Sequence, residues 1–164
     1  MNINKLTLSS MLISLGVILG SFIYIPIGIS KCFPIQHTVN VLSAIMLGPI
    51  YSTGIAFMIS LLRNILGTGS LLAFPGSMVG ALLAGIMYKR FKNKYLAMAG
   101  EVFGTGILGA ILAGYMAKYV MGRQVSGLFF LYPFMISTMG GCVVAFLLLK
   151  VIKTDDKEKI ASYK

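Results

Sequence analysis

Lys31-Cys-Phe-Pro-Ile-Gln-His-Thr-Val-Asn40 is the stretch on which the reading of this chain turns. It is polar and carries a histidine, yet it lies between two runs that otherwise read as membrane helix. Lipid admits irregular, hydrogen-bonding sequence only where protein or a water-filled cavity shelters it. Polar groups in such places usually mark a substrate path or a binding site. The stretch therefore predicts membrane helices and, between them, a sheltered place for a ligand.

Composition agrees. The chain has 164 residues, 57% hydrophobic and only 11% charged, with a mean hydropathy of +0.90. A soluble domain of this length rarely has that balance, so the class is polytopic membrane protein. Of four acids, Asp155, Asp156 and Glu158 sit in the C-terminal tail and only Glu101 lies in the apolar body. The net charge of +10 raises nucleic acid as a partner. The basic residues, however, cluster at the ends of apolar runs, as the positive-inside rule requires, and form no stripe on a polar surface. Nucleic-acid binding is not expected. Cys32 and Cys142 are far apart and lack metal-ligand spacing, so neither a disulfide nor a metal site is expected. The first apolar run has no small-residue cleavage site before Pro26, and it should remain in the mature protein.

Six helices are expected, at about 6–25, 37–47, 50–66, 75–87, 95–120 and 126–152, in one domain over 1–164 with a charged tail at 153–164. Pro26, Gly28 and Pro34 break the first run, leaving 26–36 as a loop. Gly48-Pro49 ends the second helix, and Gly67-Thr-Gly-Ser70 makes another loop. Pro75 suits the first position of the fourth helix. Residues 88–94 form a basic turn. Six crossings with the N-terminus inside place ten basic residues on one side (Lys5, Lys89, Arg90, Lys92, Lys94, Lys150, Lys153, Lys157, Lys159, Lys164). Four remain on the other (Lys31, Arg63, Lys118, Arg123). Both termini are thus expected in the cytoplasm. The second and fourth segments are as short as re-entrant or buried elements, so topology alone does not settle the number of spans.

No catalytic constellation is visible. A single histidine, no second acid near Glu101 and no glycine loop followed by Lys-Ser/Thr argue against an enzyme, an ATPase or a bound cofactor. What remains is a set of polar residues near the outer face. The loop before the second helix supplies Gln36, and that helix supplies His37 and Asn40, three apart and on one side. Arg63 and Asn64 end the third helix at the same level. Ser77 falls in the first turn of the fourth, where free backbone N–H groups could meet an anion or hydroxyl. A pocket for a small polar or heteroaromatic ligand is the sharp reading, roofed by 26–36 and 67–74. The plain one makes His37 and Ser77 caps, Arg63 an interface anchor and Asn40 an internal hydrogen-bonder. Glu101 lies about two turns inside the cytoplasmic end of its helix. That depth favours an internal hydrogen bond, with Thr105 beside it at i+4, over ligand contact. Small residues four apart, Ser10/Ser14 and Gly16/Gly20 on the first helix and Gly100/Gly104 with Gly109 on the fifth, allow close helix packing, either internal or against another membrane protein.

Four stretches carry a resemblance: Pro26-Ile-Gly-Ile-Ser-Lys-Cys-Phe-Pro-Ile-Gln-His-Thr-Val-Asn-Val41, Leu47-Gly-Pro-Ile-Tyr51, Ser60-Leu-Leu-Arg-Asn64 and Ala73-Phe-Pro-Gly-Ser-Met78. Together they resemble the ThiW family, substrate-capture (S) components of energy-coupling factor (ECF) vitamin transporters. The resemblance covers nearly the whole chain. It implies an all-α, six-helix S-component fold in the cell membrane with both termini inside. It also implies uptake of the thiamine thiazole precursor hydroxyethylthiazole, through docking on a transmembrane T component driven by two ATPase subunits. Ser10/Ser14 resembles the AxxxA docking motif with serine in place of alanine. The alternatives are an S component for another thiamine-related or heteroaromatic precursor, and a small membrane scaffold without transport.

Overall fold

The computed structural model describes residues 3–27, 30–122 and 129–152. They form six helices and one small hairpin: α1 Ile3–Phe22, β1 Ile25–Ile27, β2 Ser30–Cys32, α2 Pro34–Leu47, α3 Pro49–Ile65, α4 Ala73–Phe91, α5 Lys94–Tyr119 and α6 Leu131–Val151. Three of them, α1, α5 and α6, are long and apolar enough to cross a membrane.

Local chemistry explains where the boundaries depart from expectation. Pro34 opens α2, where its missing N–H costs nothing and its fixed φ suits the first turn, so Gln36 is helical and not part of a loop. Gly48, at φ 87°, separates α2 from α3 by one residue, and Pro49 starts the next helix at once. Helix α4 begins at Ala73, two residues before Pro75, which leaves Ser77 one turn in. The amides of Leu72, Ala73 and Phe74 at this helix start are bonded to Ser70 Oγ, Ser70 O and Leu71 O, and Ser77 lies beyond that turn. At its other end α4 runs through Tyr88–Phe91, leaving a basic break of two residues. Lys92 takes a left-handed conformation and Asn93 caps α5, its side chain accepting from the Tyr95 amide. The start of the last helix expected at 126 and the tail from 153 lie outside the described residues, as does Arg123. Between α1 and α2, β1 and β2 pair antiparallel, Ile25 opposite Cys32.

The shortest of the six helices occupies the centre. Twelve of the fourteen residues of α2 are buried, and it contacts α1, α3, α4, α5 and α6. Helix α1 packs on α2 and α3 at the edge, through Leu12, Gly16, Val17 and Gly20. The α4–α5 crossing is the tightest. Gly104 packs on Gly80, where an added Cβ would come within 2.7 Å of the Gly80 Cα, and Gly109 packs on Gly76. The small-residue face of α5 thus serves internal packing. Between those contacts, Gly104–Gly109 forms a π-helical turn, one extra residue accommodated without ending the helix.

Candidate ligand pocket

Gln36, His37 and Asn40 follow one another up α2 and meet three different neighbours. Gln36 donates to Ser60 Oγ (2.9 Å) and accepts from Arg63 Nη1 (2.8 Å). Arg63 is 1% exposed and lies against the Phe33 ring, 4.0 Å from its centre. Its Nη2 donates to the carbonyl of Thr68 (3.0 Å), and its own carbonyl accepts from the amides of Thr68 and Gly69. Asn64 donates to the carbonyls of Ser60 and Ser70. The end of α3 therefore clamps the loop 67–70 from beneath. Ser21 at the end of α1 ties the same loop from the side, through a 2.8 Å hydroxyl pair with Thr68.

The other two polar residues of α2 converge on α5. Glu101 Oε1 shares a hydrogen bond with His37 Nδ1 (2.8 Å) and accepts from Asn40 Nδ2 (3.0 Å) and Thr105 Oγ1 (3.0 Å). Asn40 Nδ2 also donates to the carbonyl and hydroxyl of Ser77. Glu101 and Asn40 are both fully buried. Thr105 sits beside Glu101 as the i+4 spacing predicts, but the separation of Glu101 from the outer polar group is overturned. Depth counted along a single helix does not give depth in a bundle whose helices differ in length. Here α2 starts three residues early and carries His37 down to the carboxylate.

Above this network lies a cavity of about 480 Å³, within the range of small-molecule sites. Gln36, His37, Ser77, Thr105 and Ser137 contribute polar groups to its lining, and Phe33, Phe130 and Phe134 contribute aromatic rings. The loop 67–70 borders it, as do Lys31 and Tyr24, whose ammonium and ring lie 4.6 Å apart. Three of the six residues proposed from sequence line the cavity: Gln36, His37 and Ser77. Asn40, Arg63 and Asn64 stand behind its wall and hold lining residues in place. Sequence reasoning missed Thr105, Ser137 and the aromatic wall. The signal for the wall was the density of rings in Phe129-Phe-Leu-Tyr-Pro-Phe134, whose Phe129 and Phe130 meet edge to face at 5.3 Å. Among the described residues no group of three or more His, Cys, Asp or Glu could hold a metal ion.

Ser10 and Ser14 are far from this cavity. They face outward on α1, their hydroxyls returned to the carbonyls of Leu6 and Ser10.

A multi-pass membrane protein with a cavity of mixed polar and aromatic lining is the class that this fold and site define. A family model described as thiamine-precursor transporter protein (ThiW) matches residues 6–155. The chain belongs to the ThiW family. No curated protein and no solved structure matches it.

Proposed function

We propose that the chain is the substrate-binding subunit of an ECF-type transporter and captures hydroxyethylthiazole. The observation that carries this is the mixed lining of the cavity: Phe33, Phe130 and Phe134 offer contacts to a flat apolar ring, and Gln36, His37, Ser77, Thr105 and Ser137 offer hydrogen bonds to a ring nitrogen and a hydroxyl. Membership of a thiamine-precursor family narrows the ring to a thiazole. The chain carries no nucleotide loop of its own, so the driving ATPases belong to other subunits, joined through a T component. The exposed small face Ser10/Ser14 is the docking surface in this reading, since serine permits the close backbone approach that lipid-embedded helices use. The basic residues fit a cytoplasmic placement of both termini: Lys5, Lys89, Arg90, Lys92, Lys94 and Lys150 lie at the end opposite the pocket. The chain acts by binding, not catalysis.

Calorimetry of the purified protein with the thiazole alcohol, thiamine and riboflavin tests the reading. Saturable binding of the thiazole alcohol alone is expected. Preference for thiamine or riboflavin would move the protein to another heteroaromatic cargo, and no binding of any of them would favour the scaffold.

A further inference from the structure

His37 is the only histidine in the chain. Its Nδ1 faces Glu101 and the ring lines the cavity, while no hydrogen bond among the described residues reaches Nε2. What Nε2 offers a ligand depends on how many protons the His37–Glu101 pair holds. The surroundings answer this. The Ser77 carbonyl can only accept, which fixes the Asn40 amide with Nδ2 toward Glu101, so Oε1 already accepts a hydrogen bond from Asn40. Glu101 Oε2 is buried without a partner, and no lysine or arginine pairs with this carboxylate among the described residues. A bare carboxylate beside a neutral imidazole would leave an uncompensated charge in a low-dielectric core, which is costly. The pair is neutral when it holds two protons, one in the bridge and a second on either Nε2 or Oε2. An O–H at Oε2 would be a buried donor with no acceptor, whereas Nε2 belongs to a residue that lines the cavity. The second proton therefore goes to Nε2. That holds whether the bridging proton rests on Nδ1 or on the carboxyl group.

We propose that Glu101 is a positioning residue that keeps His37 Nε2–H as a fixed donor in the pocket, so that the site selects neutral heteroaromatic rings with an in-plane nitrogen lone pair. This rests on the reading of the cavity as the substrate site. Rings whose nitrogen is alkylated, as in a thiazolium, have no lone pair to offer and bring a cation toward a donor. A thiophene of the same shape lacks the acceptor altogether.

Two measurements test the proposal. The first uses the single histidine. Nitrogen-15 NMR of protein labelled only at histidine should show a proton on Nε2 in the parent. In Glu101→Gln the side-chain oxygen still accepts from Asn40 and Nδ1–H but carries no charge, so the signal should shift to a neutral ring with Nε2 bare. A bare Nε2 in the parent, or an unchanged spectrum in the variant, overturns the proposal without any ligand. The second compares hydroxyethylthiazole with its thiophene and N-methylthiazolium counterparts. The parent should prefer the thiazole by roughly 10- to 150-fold, and Glu101→Gln should erase most of that preference. Equal affinities in the parent overturn the proposal while leaving the cavity as the substrate site. If none of the three rings binds, the functional reading fails and the parent's NMR spectrum still decides the proton. If Glu101→Gln does not fold, that spectrum and the parent's ligand ratios decide.

Discussion

Helices α1 and α2 invert the usual relation between length, apolarity and burial. The first has twenty residues, apolar enough to span a membrane, yet only five are buried. The second has fourteen, includes Gln36, His37, Thr38, Asn40 and Ser43, and buries twelve. In water the apolar helix would be the core. In lipid the solvent is itself apolar, so a continuous hydrophobic run marks what faces the acyl chains. Polar groups withdraw to the middle, where they find one another. The contrast makes the two helices respond differently to the same kinds of substitution.

The largest effect is expected at Asn40→Leu. It removes the donor shared by Glu101 and Ser77 and leaves a buried carboxylate under-bonded, at a cost of about 3 kcal/mol or more. Thermal unfolding in detergent should show a large loss of stability, and an unchanged midpoint would break the view of α2 as a polar keystone. On α1 the inner stripe is next. Gly16 packs against Ile59 with no room for a side chain, so Gly16→Leu should destabilise by about 1–3 kcal/mol through overpacking. The same assay would show this, with a loosened α1–α3 contact visible by cross-linking. His37→Ala acts on ligand more than on fold: thiazole affinity should fall roughly 5- to 150-fold, for one lost hydrogen bond of about 1–3 kcal/mol. Calorimetry measures the change, and parent-like affinity would move the ligand elsewhere. The smallest effect on the isolated protein belongs to the double variant Ser10→Leu with Ser14→Leu. Both face outward, so stability should stay within about 0.5 kcal/mol and thiazole binding should be unchanged. Cellular uptake should nevertheless be lost. Weakened binding in the isolated subunit would assign this face to folding and not to docking.

Much of this arrangement can be read from residue order. Hydropathy separates the helices, Gly48-Pro49 marks the sharp turn, and polar residues inside an apolar chain announce the pocket. The parts that escaped are those that depend on who meets whom. Glu101 is 64 residues from His37, and no local pattern links them. Asn40 and His37 share a helix face, but only the packing of α4 and α5 decides that one points at Ser77 and the other borders the cavity. The aromatic wall hid because phenylalanines are unremarkable in a membrane helix until their neighbours are known. The paired strands β1 and β2 hid because proline and three-residue strands give little periodicity to read.

The π turn at 104–109 shows how much of this protein's information lies in counting. Were that turn to tighten into regular α-helix with every residue kept, everything beyond it would rotate by about 100°. Gly109, Leu112 and Met116 would fall where Ala110, Ala113 and Ala117 now pack against Leu72 and Phe130. Two large side chains would be driven into a seam built for alanines, and nothing further along the helix would undo the shift. The irregular turn thus works like a reading frame: its odd length keeps the downstream letters facing the right way.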